Sequence, residues 1–318
     1  MAEKSKPNIV FIMETKLNNK KCDRIRRRLR CDGCFGVEAV GKGGGLALLW
    51  NDEVQLEIVN YSQRHINAWI GGKEESQWLL TCFYGPPETV KRKEAWSLLK
   101  SMKPNGNEGW CIVGDFNEII TNDEKWGGKA RPENQMEMFR ELMRDGNLFD
   151  LGWRGDMYTW SNSHTYATFT KERLDRVVAN PQWMNFYSET WVEVLVARTS
   201  DHKPLLVHIN VQNPSTRMQV RQRKKGFKYE ACWALDEECE VVLKEAWTGF
   251  SKVIGLLNNS RKALLRWNKN IKQRQGQEVE EKTKILQNLQ AMENGSNVEE
   301  IRKVTKELHL ALEKEDLW

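Results

Sequence analysis

No stretch of this 318-residue chain approaches the roughly 20 consecutive apolar residues needed to span a bilayer. The opening Met1-Ala2-Glu3-Lys4-Ser5-Lys6-Pro7 has no apolar centre of the kind a secretory signal requires. A disulfide framework is also lacking, because the seven cysteines are odd in number and scattered without regular spacing. These absences favour an intracellular chain, nuclear or cytoplasmic, in a reducing compartment, with no membrane partner. Cys31-Asp32-Gly33-Cys34 is a CxxC, yet no second pair and no nearby histidine completes a zinc site, so structural or incidental thiols are expected. From Glu230 onward glycine and proline almost vanish, and that scarcity marks a helical region.

With 40% hydrophobic and 29% charged residues, the composition is that of a soluble globular protein. A net charge of +5 is mildly basic and permits a polyanionic partner without demanding one. Basic residues cluster twice, in Arg24-Ile25-Arg26-Arg27-Arg28-Leu29-Arg30 and in Arg221-Gln222-Arg223-Lys224-Lys225. Each is either a nucleic-acid contact or a solvated face, and the second also resembles a weak nuclear-localisation patch. The length allows two domains. Composition shifts near Asn213-Pro214, which suggests a first domain over 1–212, a basic linker over 213–228 and a helical extension over 229–318.

Short apolar runs separated by turn residues dominate the first part. Asn8–Met13, Leu46–Trp50, Val54–Val59, Ile66–Ile70, Leu79–Phe83, Trp110–Val113 and Pro204–Ile209 read as strands. Gly43-Gly44-Gly45 lacks the following Lys-Ser/Thr and helix of a phosphate-binding loop, so it reads as a turn leading into a strand. Helices are expected over Thr89–Met102 and Pro132–Leu148, the second with Met136, Phe139, Leu142 and Met143 at helical spacing. Many strands with few helices suggest two packed sheets with helices outside. Beyond Glu230, Leu243, Trp247, Phe250, Ile254 and Leu257 trace one helical face, which Leu264, Trp267 and Ile271 continue. Ile285, Leu289 and Met292 form another stripe. After the break Asn294-Gly295-Ser296-Asn297, Ile301, Val304, Leu308 and Leu312 mark a last helix.

Gly114-Asp115-Phe116-Asn117 directly follows an apolar strand and sets a carboxylate and a carboxamide two residues apart, on one face of an extended segment. At a strand end that pair suits phosphate chemistry, although turn formation alone also selects Gly and Asp. Other polar groups sit where apolar strands start or stop: Glu14-Thr15-Lys16, Tyr84-Gly85-Pro86-Pro87, Tyr158-Thr159-Trp160-Ser161, Arg173-Leu174-Asp175-Arg176 and Ser200-Asp201-His202. This ordered set resembles the exonuclease–endonuclease–phosphatase (DNase I-like) superfamily over roughly residues 8–212. It is most similar to the endonuclease of plant LINE-type (non-LTR) retrotransposons, through Met-Glu-Thr-Lys, Gly-Gly-Leu-Ala-Leu-Leu-Trp, Tyr-Gly-Pro-Pro, Gly-Asp-Phe-Asn-Glu-Ile, Arg-Pro-Glu-Asn-Gln-Met, Tyr-Thr-Trp-Ser-Asn, Arg-Leu-Asp-Arg and Ser-Asp-His.

The resemblance implies an α/β, four-layer sandwich of two mostly antiparallel sheets flanked by helices, here with an all-helical C-terminal extension. It also implies metal-dependent hydrolysis of DNA with Mg²⁺, or Mn²⁺ in its place. Glu14 and Asp201 are then the metal residues; Mg²⁺ takes only one or two carboxylates beside water and substrate oxygens. Asp115 would orient or deprotonate the attacking water, and Asn117 would donate to the phosphate. Asp175 would hold His202 as a donor to the scissile phosphate. Tyr84 and Thr159 are further phosphate contacts, whereas Trp160 is expected in the core. His65, His164, His208 and His309 have no such surroundings and read as ordinary structural or surface histidines. Such enzymes open with an additional strand bearing Asn-Cys-Arg-Gly, which this sequence lacks; an exposed sheet edge and weakened activity are expected from that. Three readings stay open: a LINE-type nicking endonuclease, a non-catalytic relic or nucleic-acid-binding protein, and a phosphoesterase acting on a small molecule or lipid. The helical extension would pack on the nuclease domain or on a partner.

Overall fold

A computed structural model describes residues 6–16, 19–40, 44–72, 77–209, 227–248 and 252–317. The chain divides into two compact units, Met1–Ala197 with Asp201–Gln212, and Arg198–Ser200 with Asn213–Trp318. In the first unit the strands are β1 (Ile9–Ile12), β2 (Gly33–Val37), β3 (Leu46–Trp50), β4 (Leu56–Ser62), β5 (His65–Ile70), β6 (Trp78–Tyr84) and β7 (Gly109–Asp115). They continue as β8 (Lys125–Trp126), β9 (Phe149–Asp150), β10 (Trp160–Ser161), β11 (Lys171–Glu172), β12 (Asp175–Ala179), β13 (Trp191–Val194) and β14 (Leu205–His208). Four helices accompany them: α1 (Asn19–Leu29), α2 (Thr89–Ser101), α3 (Glu133–Gly146) and α4 (Pro181–Phe186).

The principal sheet has the order β4-β5-β6-β7-β12-β9, antiparallel except for the parallel pair β6–β7. β6 and β7 carry near-continuous apolar runs because both of their faces are covered. Leu80, Cys82, Cys111, Val177 and Ala179 enter a core between this sheet and a second strand layer. Leu79, Phe83, Trp110, Ile112 and Val178 alternate to the other face, beneath Trp96 and Leu99 of α2 and Phe139 and Leu142 of α3. The second layer consists of β1-β3-β2 and the ribbon β13–β14. Val37, Leu46, Leu48 and Val192 line its inner side, with Ile9, Phe11, Leu205 and Val207 partly buried beside them. α1 covers the outer side through Cys22, Ile25 and Leu29. Helix, sheet, sheet and helix thus form the expected sandwich, with the second layer in two pieces among the described residues. There β1 has a partner on one side only, β3. A small sheet, β10-β11-β8, adds to the rim.

The helical unit contains α5 (Glu237–Ala246), α6 (Val253–Ala291) and α7 (Val298–Leu317). Trp233, Cys239, Leu264, Trp267 and Ile271 form one core cluster, and Val279, Leu286, Val304 and Leu308 are also buried. The expected apolar stripe holds only in part. Trp247, Ile254, Leu257, Ile285 and Met292 are exposed, and Phe250 lies outside the described residues. Helical spacing fixes which residues share a face but not which face finds a neighbour. The expected basic linker falls mostly within 210–226, outside the described residues, and with it the cluster Arg221–Lys225. No described helix is long and apolar enough to cross a membrane.

Cysteine usage departs from expectation. Cys22 on α1 is disulfide-bonded to Cys34 on β2, while Cys31 is a buried free thiol. The CxxC therefore does not act as a pair. The fold brings Cys34 to a cysteine of the helix packed above its strand, a proximity that spacing along the chain cannot reveal.

Candidate active site

Strand register builds one side of the site. Tyr84 on β6 is paired with Asp115 on β7, and Asp115 with Asp175 on β12. Residues in direct register point to the same face, so three side chains from distant parts of the sequence stand in a row across neighbouring strands. By alternation along each strand they share the inter-sheet side with Leu80, Cys82, Cys111 and Val177. Gly114 permits the parallel β6–β7 approach. Its φ is +149°, and a Cβ there would lie 1.8 Å from the Phe83 carbonyl oxygen.

Glu14 arrives from the other layer. Simple alternation would put it with Val10 and Ile12 on the α1 side, but the strand ends and Glu14 is left-handed, with φ 51°. The glycine turn before β3 holds this segment: Thr15 N–H donates to the Gly45 carbonyl at 3.1 Å and Lys16 N–H to that of Gly44 at 3.2 Å. The Glu14 carboxylate accepts the Tyr84 hydroxyl. Tyr84, expected to touch phosphate, lines the cleft with its hydroxyl engaged by Glu14. Burial, and then that carboxylate, push its phenol well above the usual range.

Segment Tyr158–Ser161 seats Asp175 and His202 together. Thr159 Oγ1 accepts the backbone N–H groups of Leu174 (3.0 Å) and Asp175 (2.9 Å), while the Thr159 carbonyl accepts Lys203 N–H at 2.7 Å. Thr159 is fully buried behind the cleft. This corrects its expected role as a phosphate contact, because its hydroxyl oxygen holds the backbone beneath Asp175. Trp160 packs partly buried against the core cluster Ile119, Met136 and Leu174, as expected, but also lines the cleft, where its indole N–H donates to Asp201 Oδ2 at 2.9 Å. Arg173 and Arg176, both buried, flank Asp175 in sequence and pair with Glu124 and Asp150, fixing the start of β12.

The result is an Asp–His pair facing a second aspartate. His202 Nδ1 lies 2.9 Å from Asp175 Oδ2, and ligand atoms of Asp115, Asp175 and His202 fall within 4.8 Å of one another. Burial opposes charge on His202, but the Asp175 hydrogen bond and the negative charges of Asp175, Asp115 and Asp201 outweigh it, raising its pKa to about 9. Burial, then the charge of Asp175, hold the Asp115 carboxyl well above the usual carboxylate range.

β7 ends at Asp115, so Asp115 and Asn117 do not meet through extended alternation as the sequence suggested. Asn117 is left-handed, with φ 53°. Its backbone N–H donates to Asp115 Oδ1 at 2.7 Å, and its Nδ2 donates to Asp115 Oδ2 at 2.5 Å and to the Gly85 carbonyl at 3.0 Å. Both amide hydrogens are engaged. In this geometry Asn117, which lines the cleft, aims Asp115.

These residues open onto a cleft of about 450 Å³ lined by Glu14, Tyr84, Asp115, Asn117, Asp201 and His202. Lys125, Arg131, Glu172, Asn162 and Thr170 also line it. Sequence reading singled out the motif that begins at Arg131 but assigned neither Arg131 nor Lys125 to the site. Of the basic run Arg24–Arg30, Arg26 and Arg27 pair with Asp23, and Arg26 also donates to the Cys31 and Asp32 carbonyls, so part of the run is structural. His65 is buried between Ser62 and Asn60, and His208 stacks on Trp191, in keeping with ordinary structural roles.

The donor set suits a small hard cation. Asp115, Asp175 and His202 offer ligand atoms within 4.8 Å of one another, and Glu14 and Asp201 line the same cleft. Glu14 and Asp201 remain the exposed carboxylates at the mouth.

No curated protein matches this sequence. Among solved structures, the chain is similar to the endonuclease domain of TRAS1, a telomere-specific non-LTR retrotransposon, at 15% identity over 67% of this chain and 90% of that one, with a TM-score of 0.49. An AP endonuclease from Archaeoglobus fulgidus shows 18% identity over 66% of this chain and 91% of its own, with a TM-score of 0.48. The corresponding figures for a 3'-5' exonuclease from Neisseria meningitidis are 18%, 64%, 90% and 0.47. The two packed sheets with outer helices make the fold DNase I-like. Residues 1–202 match the Endonuclease/Exonuclease/phosphatase family, and the chain belongs to that family.

Proposed function

We propose that this protein hydrolyses phosphodiester bonds of DNA, as the nicking endonuclease of a plant LINE-type retroelement acting inside the cell, with Mg²⁺ or Mn²⁺ at Glu14 and Asp201. The observation that carries this reading is the convergence of Asp115 with the Asp175–His202 pair beside a cleft whose lining also includes Lys125 and Arg131. A bound divalent ion would polarise a phosphate oxygen. Asp115, raised by burial and like charge, has the basicity to take a proton from the attacking water. His202 is held protonated by Asp175, and the imidazolium stabilises negative charge growing on the phosphate. Asn117 keeps the Asp115 carboxylate aimed at the cleft, and Lys125 in the cleft lining favours a polyanion over a lone phosphate ester.

The test is nicking of supercoiled plasmid by the full chain with chelator, Mg²⁺ or Mn²⁺, beside Glu14→Ala, with bis(p-nitrophenyl) phosphate as a small diester. Metal-dependent nicking, lost in Glu14→Ala and far faster than small-diester cleavage, is expected. Rapid small-diester cleavage with intact plasmid would favour the small-molecule reading. DNA binding without turnover under any metal would favour the non-catalytic one.

A further inference from the structure

Beside the cleft runs a row of alternating charges in which the hydrolytic scheme gives Arg131 no task. Arg92 Nη1 lies 2.6 Å from Glu118 Oε2, and Arg131 Nη1 lies 3.0 Å from Glu118 Oε1. Arg131 Nη2 and Lys125 Nζ then share Glu172. Glu118 and Glu172 are both buried. Three cations serve two carboxylates, and Arg131 is the one in the middle. Without it Glu118 would keep Arg92, and Glu172 would keep Lys125. Charge neutralisation therefore does not explain a guanidinium at this position. The contact that would disappear is a different one: Arg131 Nη1 donates to the Asn117 carbonyl at 3.1 Å.

That carbonyl belongs to the turn that aims Asp115. Asn117 is left-handed, and its backbone and side-chain N–H groups bind the two Asp115 oxygens at 2.7 and 2.5 Å. A side chain with Cβ holds this conformation only when its surroundings enforce it. Arg131 is itself anchored to the same loop, its backbone N–H donating to Asn122 Oδ1 at 2.8 Å and its carbonyl accepting Asn122 Nδ2 at 3.2 Å. A planar fork can reach Glu118, Glu172 and the Asn117 carbonyl together, which a lysine ammonium on a flexible stem cannot do in fixed directions. We propose that Arg131 is a positioning residue: through the Asn117 carbonyl it fixes the turn that aims Asp115, without itself contacting the phosphate. This rests on the hydrolytic reading of the cleft.

The test uses the full chain and its Arg131→Lys and Arg131→Ala variants. Arg131→Lys keeps a cation between Glu118 and Glu172, so a folded variant is available if Arg131→Ala unfolds. Amide hydrogen exchange without DNA should quicken at least about tenfold in segment 115–119 of both variants and stay unchanged in β5 and β6. In plasmid nicking both should lose roughly 10- to 100-fold in kcat, the scale of a misplaced group, while KM moves less than about threefold. Added guanidinium should restore part of the Arg131→Ala rate. Unchanged exchange in 115–119 would overturn the proposal. So would an Arg131→Lys variant with native kcat beside an Arg131→Ala variant whose salt slope falls by about one, the signature of a direct phosphate contact. If the native chain does not nick DNA, the hydrolytic reading fails, and the exchange measurement still decides the role of Arg131.

Discussion

His202 Nδ1 and Asp175 Oδ2 lie 2.9 Å apart, although the residues are 27 positions apart in the chain. The contact is made by two backbone devices. Thr159 holds the N–H groups ahead of and at Asp175, and an isolated bridge joins Trp160 to His202. A charged pair built on hydrogen-bonded backbone has a defined direction, which is what a donor to a developing oxyanion requires.

In chelator-treated protein, NMR should show His202 titrating at about pH 9 rather than near 6.5, and Asp175→Asn should bring it down toward that ordinary value. The sign for stability follows. The folded pKa is raised, so the contribution is complete below about 6.5 and is lost as pH rises through about 9. Urea midpoints should therefore decline across that interval more steeply in the native protein than in Asp175→Asn. Equal slopes would refute the linkage.

Asp115→Asn and His202→Ala should each slow nicking by at least about 10²-fold, the scale for losing a general base or a charge-stabilising donor. Affinity for DNA should change far less, because phosphate contacts from lysine and arginine dominate it. A nicking rate insensitive to Asp115→Asn would remove Asp115 from the mechanism.

Thr159→Val keeps the shape and removes the acceptor of two buried N–H groups, so a loss of about 1–3 kcal/mol is expected, read by chemical denaturation. Thr159→Ser keeps the oxygen and should recover most of it. If Thr159→Val were as stable as the native chain but bound DNA weakly, the residue would be a substrate contact after all.

Gly114→Ala places a methyl 1.8 Å from the Phe83 carbonyl oxygen of the neighbouring parallel strand, at φ +149°. A loss of roughly 3 kcal/mol or more is expected, since backbone rather than a flexible side chain must yield. A native melting temperature for this variant would mean that β6 and β7 are less closely apposed than they stand here.

Much of this protein was legible in its sequence. Apolar runs such as Leu79–Phe83 and Trp110–Val113 announced buried strands, and the spacing of Met136, Phe139 and Leu142 announced α3, because burial on both faces or on one stripe leaves a direct pattern in residue type. Asp115, Asp175 and His202 could be singled out as polar groups at the ends of such runs. Their partners were less visible. Thr159 went behind the cleft, and Trp160 both packs on the core and lines the cleft wall. An alternating pattern tells which side of a strand a residue takes but not what stands on that side.

What the sequence determined by itself was the long strands and helices, through periodicities of two and 3.6 that act locally; α1, α4, β2 and the short strands β8 to β13 were not legible there. Tertiary structure alone decided that Tyr84, Asp115 and Asp175 share one register row, that Cys22 rather than Cys31 reaches Cys34, and that Arg131 lies against the Asn117 carbonyl. Each of these depends on which strand pairs with which, and in what register. That choice is made by the whole core at once, because slipping a strand by one residue would turn its apolar side to water.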